Sequence, residues 1–301
     1  MANDTSTIQS LKAVDAWIDV INANINGGVR TAFKSSRLKF GGSNTSVQRT
    51  GNLMSLPLQM PETSLTTANS VIDFSQGAIT TSTENTHLAV QGTGWFLVTD
   101  PLSIAANGAY FFTAGRSDFI LTRDGEFHTN QNGLLVTSYG YVLISATLTA
   151  ATPPTLTGAG MRAVVNDLDS SAATLPTSGL RLSTYLTNTL TAGTLLADGV
   201  TTLGIAASSL LKVPNGQQNL TYSKYGSTAY SFNWVNGSPG MTLAYATSAD
   251  ATILNKTLEA SNASMTQSVP ELSLAQKLFS ALTKVLQISQ TNTDAVLNLI
   301  R

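Results

Sequence analysis

Apolar residues near the N-terminus recur in alternating steps of three and four: Leu11, Val14, Ile18, Ile21 and Ile25. This spacing lays one stripe along a helix and predicts that the helix winds against another. Gly27 and Gly28 stop it. The C-terminus repeats the pattern over a longer run, through Leu272, Ala275, Phe279, Leu282, Leu286, Ser289, Thr293, Val296 and Ile300. Ser268 and Glu271 have the spacing of a capping box, with Pro270 in the first turn, where its missing N–H costs nothing. The second helix is expected to run for about thirty residues, or roughly 45 Å. Leu278, Val285 and Leu299 widen its stripe beyond a two-stranded seam, which predicts more than one packing partner.

Between these helices the period shortens. Residues 41–72 hold GGSNTS and prolines at 57 and 61, and read as an extended linker. Strands are expected over 73–80 and over HLAVQGTGWFLV (87–98), where Gly92 and Gly94 permit a bulge or a close backbone approach. The stretch FILTRDGEFHTNQNGLLVTSYGYVLI (119–144) reads as a meander with three turns: Asp124-Gly125 as a two-residue hairpin, then Asn132-Gly133, then Tyr139-Gly140. AYSFNW (229–234), Asn236-Gly237 and MTLAYA (241–246) predict a further hairpin. The pattern leaves open whether residues 145–250 form a subdomain of their own or complete the first sheet.

The predicted fold class is α+β. Residues 1–40 and 262–301 form a helical, coiled-coil inner domain; 41–72 link it to a β-rich outer domain of hairpins and meander over 73–261.

Composition narrows the function. Only 11% of the 301 residues are charged, against about 25% in an ordinary globular domain. A surface that is polar but uncharged suits close packing against other subunits. The net charge of -1, with sixteen Lys and Arg spread along the chain, argues against nucleic acid. There are no cysteines, so no disulfide or thiolate site exists. No apolar run is long enough to span a bilayer as a helix. MANDTSTIQSLKAVDAW has neither a basic n-region nor an apolar h-region, so export is expected to use a route other than an ordinary secretory signal.

Catalytic chemistry is sparse. His87 and His128 lie on different predicted strands and read as surface or sheet-edge residues, with no metal site or triad around them. Arg116, Asp118, Arg123, Asp124 and Glu126 have the right types for acid–base work, but they alternate across turn and strand and read as hairpin and intersubunit ion pairs. QGTGW does not open a helix, so it does not cradle phosphate. The expectation is no enzyme, no cofactor and no metal.

One block is distinctive. Gly92, Gly94, Trp95 and Phe96 are followed by Thr122, Arg123, Gly125 and Phe127, then by Gly133, Leu134, Val136, Thr137, Gly140 and Tyr141. This closely resembles the core signature of bacterial flagellar rod and hook proteins. VINANINGGVRTAFKSSRLKF (20–40) resembles the N-terminal pattern of that family at Ile21, Asn24, Phe33 and Lys34, and LEASNASM (258–265) resembles its Leu-Glu-x-Ser-Asn motif. Departures occur at Ala23, Asn26, Gly27 and Arg30, at Ala32 where the family has Gly, and in the C-terminal helix, where AQKLF replaces a Gln-Arg-x-Tyr cluster. The resemblance covers about residues 8–145 and 255–301.

What the resemblance implies is an axial structural protein. Its partners would be identical subunits in a helical tube, other axial proteins and a flagellar type III export apparatus. Its place would be an extracellular or periplasm-spanning appendage serving motility. Subunit packing would then fall to Leu11, Val14, Ile18, Ile21, Ile25, Phe279, Leu282, Leu286, Val296 and Ile300. Two other readings stay open: a non-flagellar filament built from the same parts, and a surface adhesin that binds through residues 145–250.

Overall fold

The computed structural model describes residues 2–42, 46–48, 58–60, 64–104, 119–147, 161–168, 179–187, 207–208, 210–232 and 242–299. In chain order these form α1 (Ala2–Gly27), β1 (Ser36–Gly42), β2 (Ser46–Gln48), β3 (Leu58–Met60), β4 (Leu65–Ile72), β5 (Ile79–Thr81), β6 (Leu88–Gly92), β7 (Gly94–Thr99), β8 (Ile120–Thr122), β9 (Phe127–Thr129) and β10 (Leu135–Thr137). There follow β11 (Val142–Ile144), β12 (Ala146–Thr147), β13 (Val164–Val165), β14 (Leu180–Arg181), the single turn α2 (Leu182–Tyr185), β15 (Ala207–Ser208), β16 (Leu211–Asn215), β17 (Thr221–Ser223) and β18 (Gly226–Ser231). The last elements are β19 (Thr242–Tyr245), β20 (Ala251–Asn255), β21 (Thr257–Glu259) and α3 (Met265–Leu299). The chain is therefore mixed helix and strand, and it divides into two units: Met1–Gly28, Ser35–Asp73 and Ala263–Arg301 form one, Val29–Lys34 and Phe74–Asn262 the other.

In the first unit α1 and α3 share an apolar cluster. Val14, Ile21 and Ala275 are its buried centre, and Trp17, Ile18, Ile25, Leu65, Leu272 and Leu282 pack around them. α3 is 35 residues long and starts before the expected capping box. Ser264 O accepts from Ser268 N and Ser268 Oγ, so Ser268 sits one turn inside the helix and Pro270 interrupts the ladder beyond it. The box spacing was matched, but Ser264 lies one turn earlier and the ladder is already running when it reaches Ser268.

The expected linker at 41–72 is corrected by the same unit. β4 pairs antiparallel with β1 from Ser36↔Ile72 to Gly42↔Leu65, and β2 pairs with β3. LTTANSVI carries the β-branched residues that favour a pleated edge. Asn24 fixes the start of β1, donating to Ser36 O at 2.7 Å and accepting from Ser36 N at 2.8 Å.

The second unit is built on a sheet ordered β17-β18-β8-β7-β11-β10-β9, with β16 on β7 and β19 on β16. β6–β20 and β5–β21 add two antiparallel pairs, and β13–β14 a parallel one. Leu88, Phe96, Phe127, Leu143, Val164, Leu180 and Tyr185 belong to one buried core. Phe96 of β7 and Phe127 of β9 meet edge to face at 5.3 Å although β11 and β10 lie between those strands, so the sheet curls around its core.

Two predicted hairpins are corrected here. β8 and β9 do not pair across Asp124-Gly125: β8 pairs with β7 and β18, and β9 with β10. Among the described residues of AYSFNW and MTLAYA the expected pairing is not found: β18 pairs with β17 and β8, and β19 with β16. Asn236-Gly237 lies outside the described residues. The turns at Asn132-Gly133 and Tyr139-Gly140 do join β9 to β10 and β10 to β11. The strand expected over 73–80 is confined to Ile79–Thr81. Among the described residues of 145–250, β16 to β19 lie in the same sheet as β7 to β11.

Candidate functional site

The chemical centre of the second unit is Glu259 at the end of β21. Its side chain is fully buried. Oε1 accepts from Lys34 Nζ at 2.6 Å and from Gly77 N at 2.9 Å; Oε2 accepts from Arg123 Nε at 2.8 Å. Lys34 Nζ also donates to Ser75 O at 2.7 Å. Arg123 gives three further donors to carbonyls: Nη1 to Gly92 O and Gly94 O, each at 2.8 Å, and Nη2 to Val90 O at 3.0 Å. A charge taken out of water is stable only when its donors or acceptors are satisfied in this way.

The surrounding backbone is fitted to the cluster. Ala32 N donates to Glu259 O at 2.7 Å, and Asn262 N to Phe33 O at 3.2 Å. The segment that runs on from α1 is thus clasped to the segment that runs to α3. Trp95 stands under the guanidinium, with Arg123 Cζ 5.8 Å from its ring centroid, and makes edge contacts with Phe74 and Tyr230.

The signature positions gather around this clasp or hold the strands that bear it. Gly92 has φ +105°, and a Cβ there would lie 2.2 Å from Asp250 O. Gly125 is packed on Leu88 so closely that a Cβ would fall 1.5 Å from Leu88 O. Gly94, Trp95, Phe96 and Phe127 are buried in the unit, and Thr122 Oγ1 donates to Thr228 O at 2.8 Å. Gly133 and Gly140 occupy turns, Leu134 is buried, and Tyr141 N donates to Thr137 Oγ1 at 3.2 Å.

The helical packing positions do not gather as one set. Val14 and Ile21 are buried, and Leu11, Ile18, Ile25, Leu282 and Leu286 half-buried. Phe279 and Val296 are exposed. Ile300 lies outside the described residues, as do Arg116 and Asp118.

Two features escaped the sequence. Glu259 was legible only as one letter of a motif, with nothing local to mark it as the acceptor for Lys34 and Arg123. The two histidines, expected apart, have ring centroids 6.2 Å from each other, and Ser82 Oγ lies 2.7 Å from His87 Nδ1. Among the described residues no three His, Asp or Glu side chains are placed to hold a metal ion. Among the described residues no helix is long and apolar enough to cross a membrane.

No family model and no curated protein matches the chain. Among solved structures, the flagellar hook protein FlgE2 of Helicobacter pylori is 33% identical over a match covering 23% of this chain and 14% of that chain, with a TM-score of 0.17. The similarity is local, and the overall fold is not defined by it.

Proposed function

We propose that the chain is a structural subunit that stacks helically with identical copies into a tube of the flagellar rod or hook kind. The observation that carries this reading is the surface of α3. Val285, Ile288 and Leu297 are 53%, 60% and 60% exposed, with Leu274, Val269 and Val296 similarly open, on a helix that already contributes to an apolar cluster with α1. Apolar side chains left open around a long helix mark surface that further helices cover. At about 25 cal/mol per Å², covering a few hundred Å² of apolar surface gives a driving force of several kcal/mol per subunit before ordering costs.

The second unit suits the outer part of such a tube. Its curled sheet and buried clasp make a stiff body, and the role asks for no catalytic group. Coiled-coil packing of α1 and α3, type III export and display as a cell-surface appendage belong to the same proposal. The test is electron microscopy and sedimentation of the full chain beside a chain lacking residues 271–301. Tubes from the full chain alone are expected; tubes from both would overturn the reading.

A further inference from the structure

Asp124 is a carboxylate buried without a counter-ion. It is 9% exposed. Oδ1 accepts from Thr31 Oγ1 at 2.7 Å and from Glu126 N at 3.2 Å; Oδ2 accepts from Thr228 Oγ1 at 3.4 Å. Among the described residues no lysine or arginine pairs with it. A carboxylate has about four acceptor positions, so Oδ2, with one long bond, keeps capacity for a donor. Burial raises the carboxyl above its ordinary range, and Glu126 adds like charge, which are the conditions a bound cation would relieve.

A small cavity opens beside this group. Among the described residues its lining includes Asp124, Val98, Ile120, Tyr139, Tyr141 and Tyr225. The Tyr141 and Tyr225 rings lie 4.7 Å apart, and Lys224 Nζ already stands 4.8 Å from the Tyr225 ring centroid, so this aromatic surface attracts an ammonium within the fold itself. Tyr139 and Tyr225, which line it, are themselves partly exposed, so the lining reaches the surface of the unit. The space holds about one water-sized group. A primary ammonium head has that size, and a trimethylammonium does not.

We propose that this cavity binds the primary ammonium head of an aliphatic amine, the group a lysine side chain carries. Asp124 Oδ2 accepts from the ammonium, the tyrosine rings surround it, and the aliphatic stem leaves past Tyr139 and Tyr225 toward the surface. The site is independent of the assembly reading, since it uses neither helix.

The test is NMR of the full chain with labelled tyrosine rings, titrated with n-butylamine, with n-butanol as the neutral analogue and with tetramethylammonium as the oversized cation. Saturable shifts at Tyr139, Tyr141 and Tyr225 are expected with butylamine alone, with a Kd on the order of millimolar for so small a ligand. Asp124→Asn should weaken binding at least about tenfold, because the bond to a charged acceptor is lost. Tyr225→Leu, which leaves the bonds of Asp124 in place, should weaken it severalfold and decides the matter if the Asp124 variant does not fold. Butanol binding as well as butylamine, butylamine shifting none of the three rings, or a Tyr225 variant with unchanged affinity would each overturn the proposal.

Discussion

Lys34 and Glu259 meet at 2.6 Å in a fully buried ion pair, although one follows the N-terminal helix and the other precedes the C-terminal one. Arg123 completes the cluster from the middle of the chain. Three segments far apart in sequence are thereby fixed to one carboxylate.

Removing that carboxylate should be costly. Glu259→Gln leaves two buried cations short of their counter-charge, and a loss of about 3–5 kcal/mol is expected. Replacing Lys34, Arg123 and Glu259 together by Met, Met and Leu should cost more still, because the carbonyls of Ser75, Val90, Gly92 and Gly94 then lose their donors. Denaturant unfolding of both variants checks the order; a single variant as stable as wild type would remove the clasp from the account.

Ala32 sits at φ +52° with its side chain fully buried, at the position where the resembled family carries Gly. A left-handed conformation costs an L-residue roughly 1–2 kcal/mol, and glycine is free of it. Ala32→Gly should therefore stabilise the fold by up to about 1 kcal/mol after the extra chain entropy is subtracted. A higher unfolding midpoint at unchanged denaturant slope is the expected result.

Tyr230 is buried against Trp95 and Phe74, and its hydroxyl has no hydrogen-bond partner among the described residues. Burial pushes its ionisation far above the ordinary range. Deleting a buried polar atom that bonds to nothing removes a desolvation penalty, so Tyr230→Phe should be neutral or stabilising by about 1 kcal/mol. Trp95→Ala, which opens a cavity in the same cluster, should cost about 3–5 kcal/mol. Thermal unfolding should show a lowered midpoint for Trp95→Ala and an unchanged or raised one for Tyr230→Phe.

Acid should act in two opposed steps. Asp124 titrates above its ordinary value in the folded chain, through burial, so it favours folding below the unfolded value of about 3.9 and loses that contribution as pH rises through its folded value. Asp250 is held down to about 2, first by the Lys212 hydrogen bond and then by Thr247. Its contribution is present above pH about 4 and is lost as pH falls toward 2. In stability measured against pH, Asp124→Asn should flatten the gain on mild acidification, and Asp250→Asn the loss below about pH 4. Identical profiles for the three chains would contradict both assignments.

The local pattern was enough for some of this. Three-four spacing marked both helices because a helix turns at 3.6 residues wherever it packs, and Asn132-Gly133 and Tyr139-Gly140 marked real turns because positive φ is a property of the residue itself. The absence of cysteine and the low charge were likewise complete in the sequence. Pairing was not. Asp124-Gly125 has the chemistry of a hairpin turn, yet Gly125 serves a close approach to Leu88, and β8 finds its partners in β7 and β18. The choice between those outcomes depends on strands more than a hundred residues away, such as β18 at Gly226–Ser231, whose burial against the core outweighs a local turn preference. The same holds for Glu259 and for Asp124. Sequence supplies the carboxylates, but only the folded unit excludes water from them, and that exclusion makes one a clasp and leaves the other buried with hydroxyl and backbone donors alone.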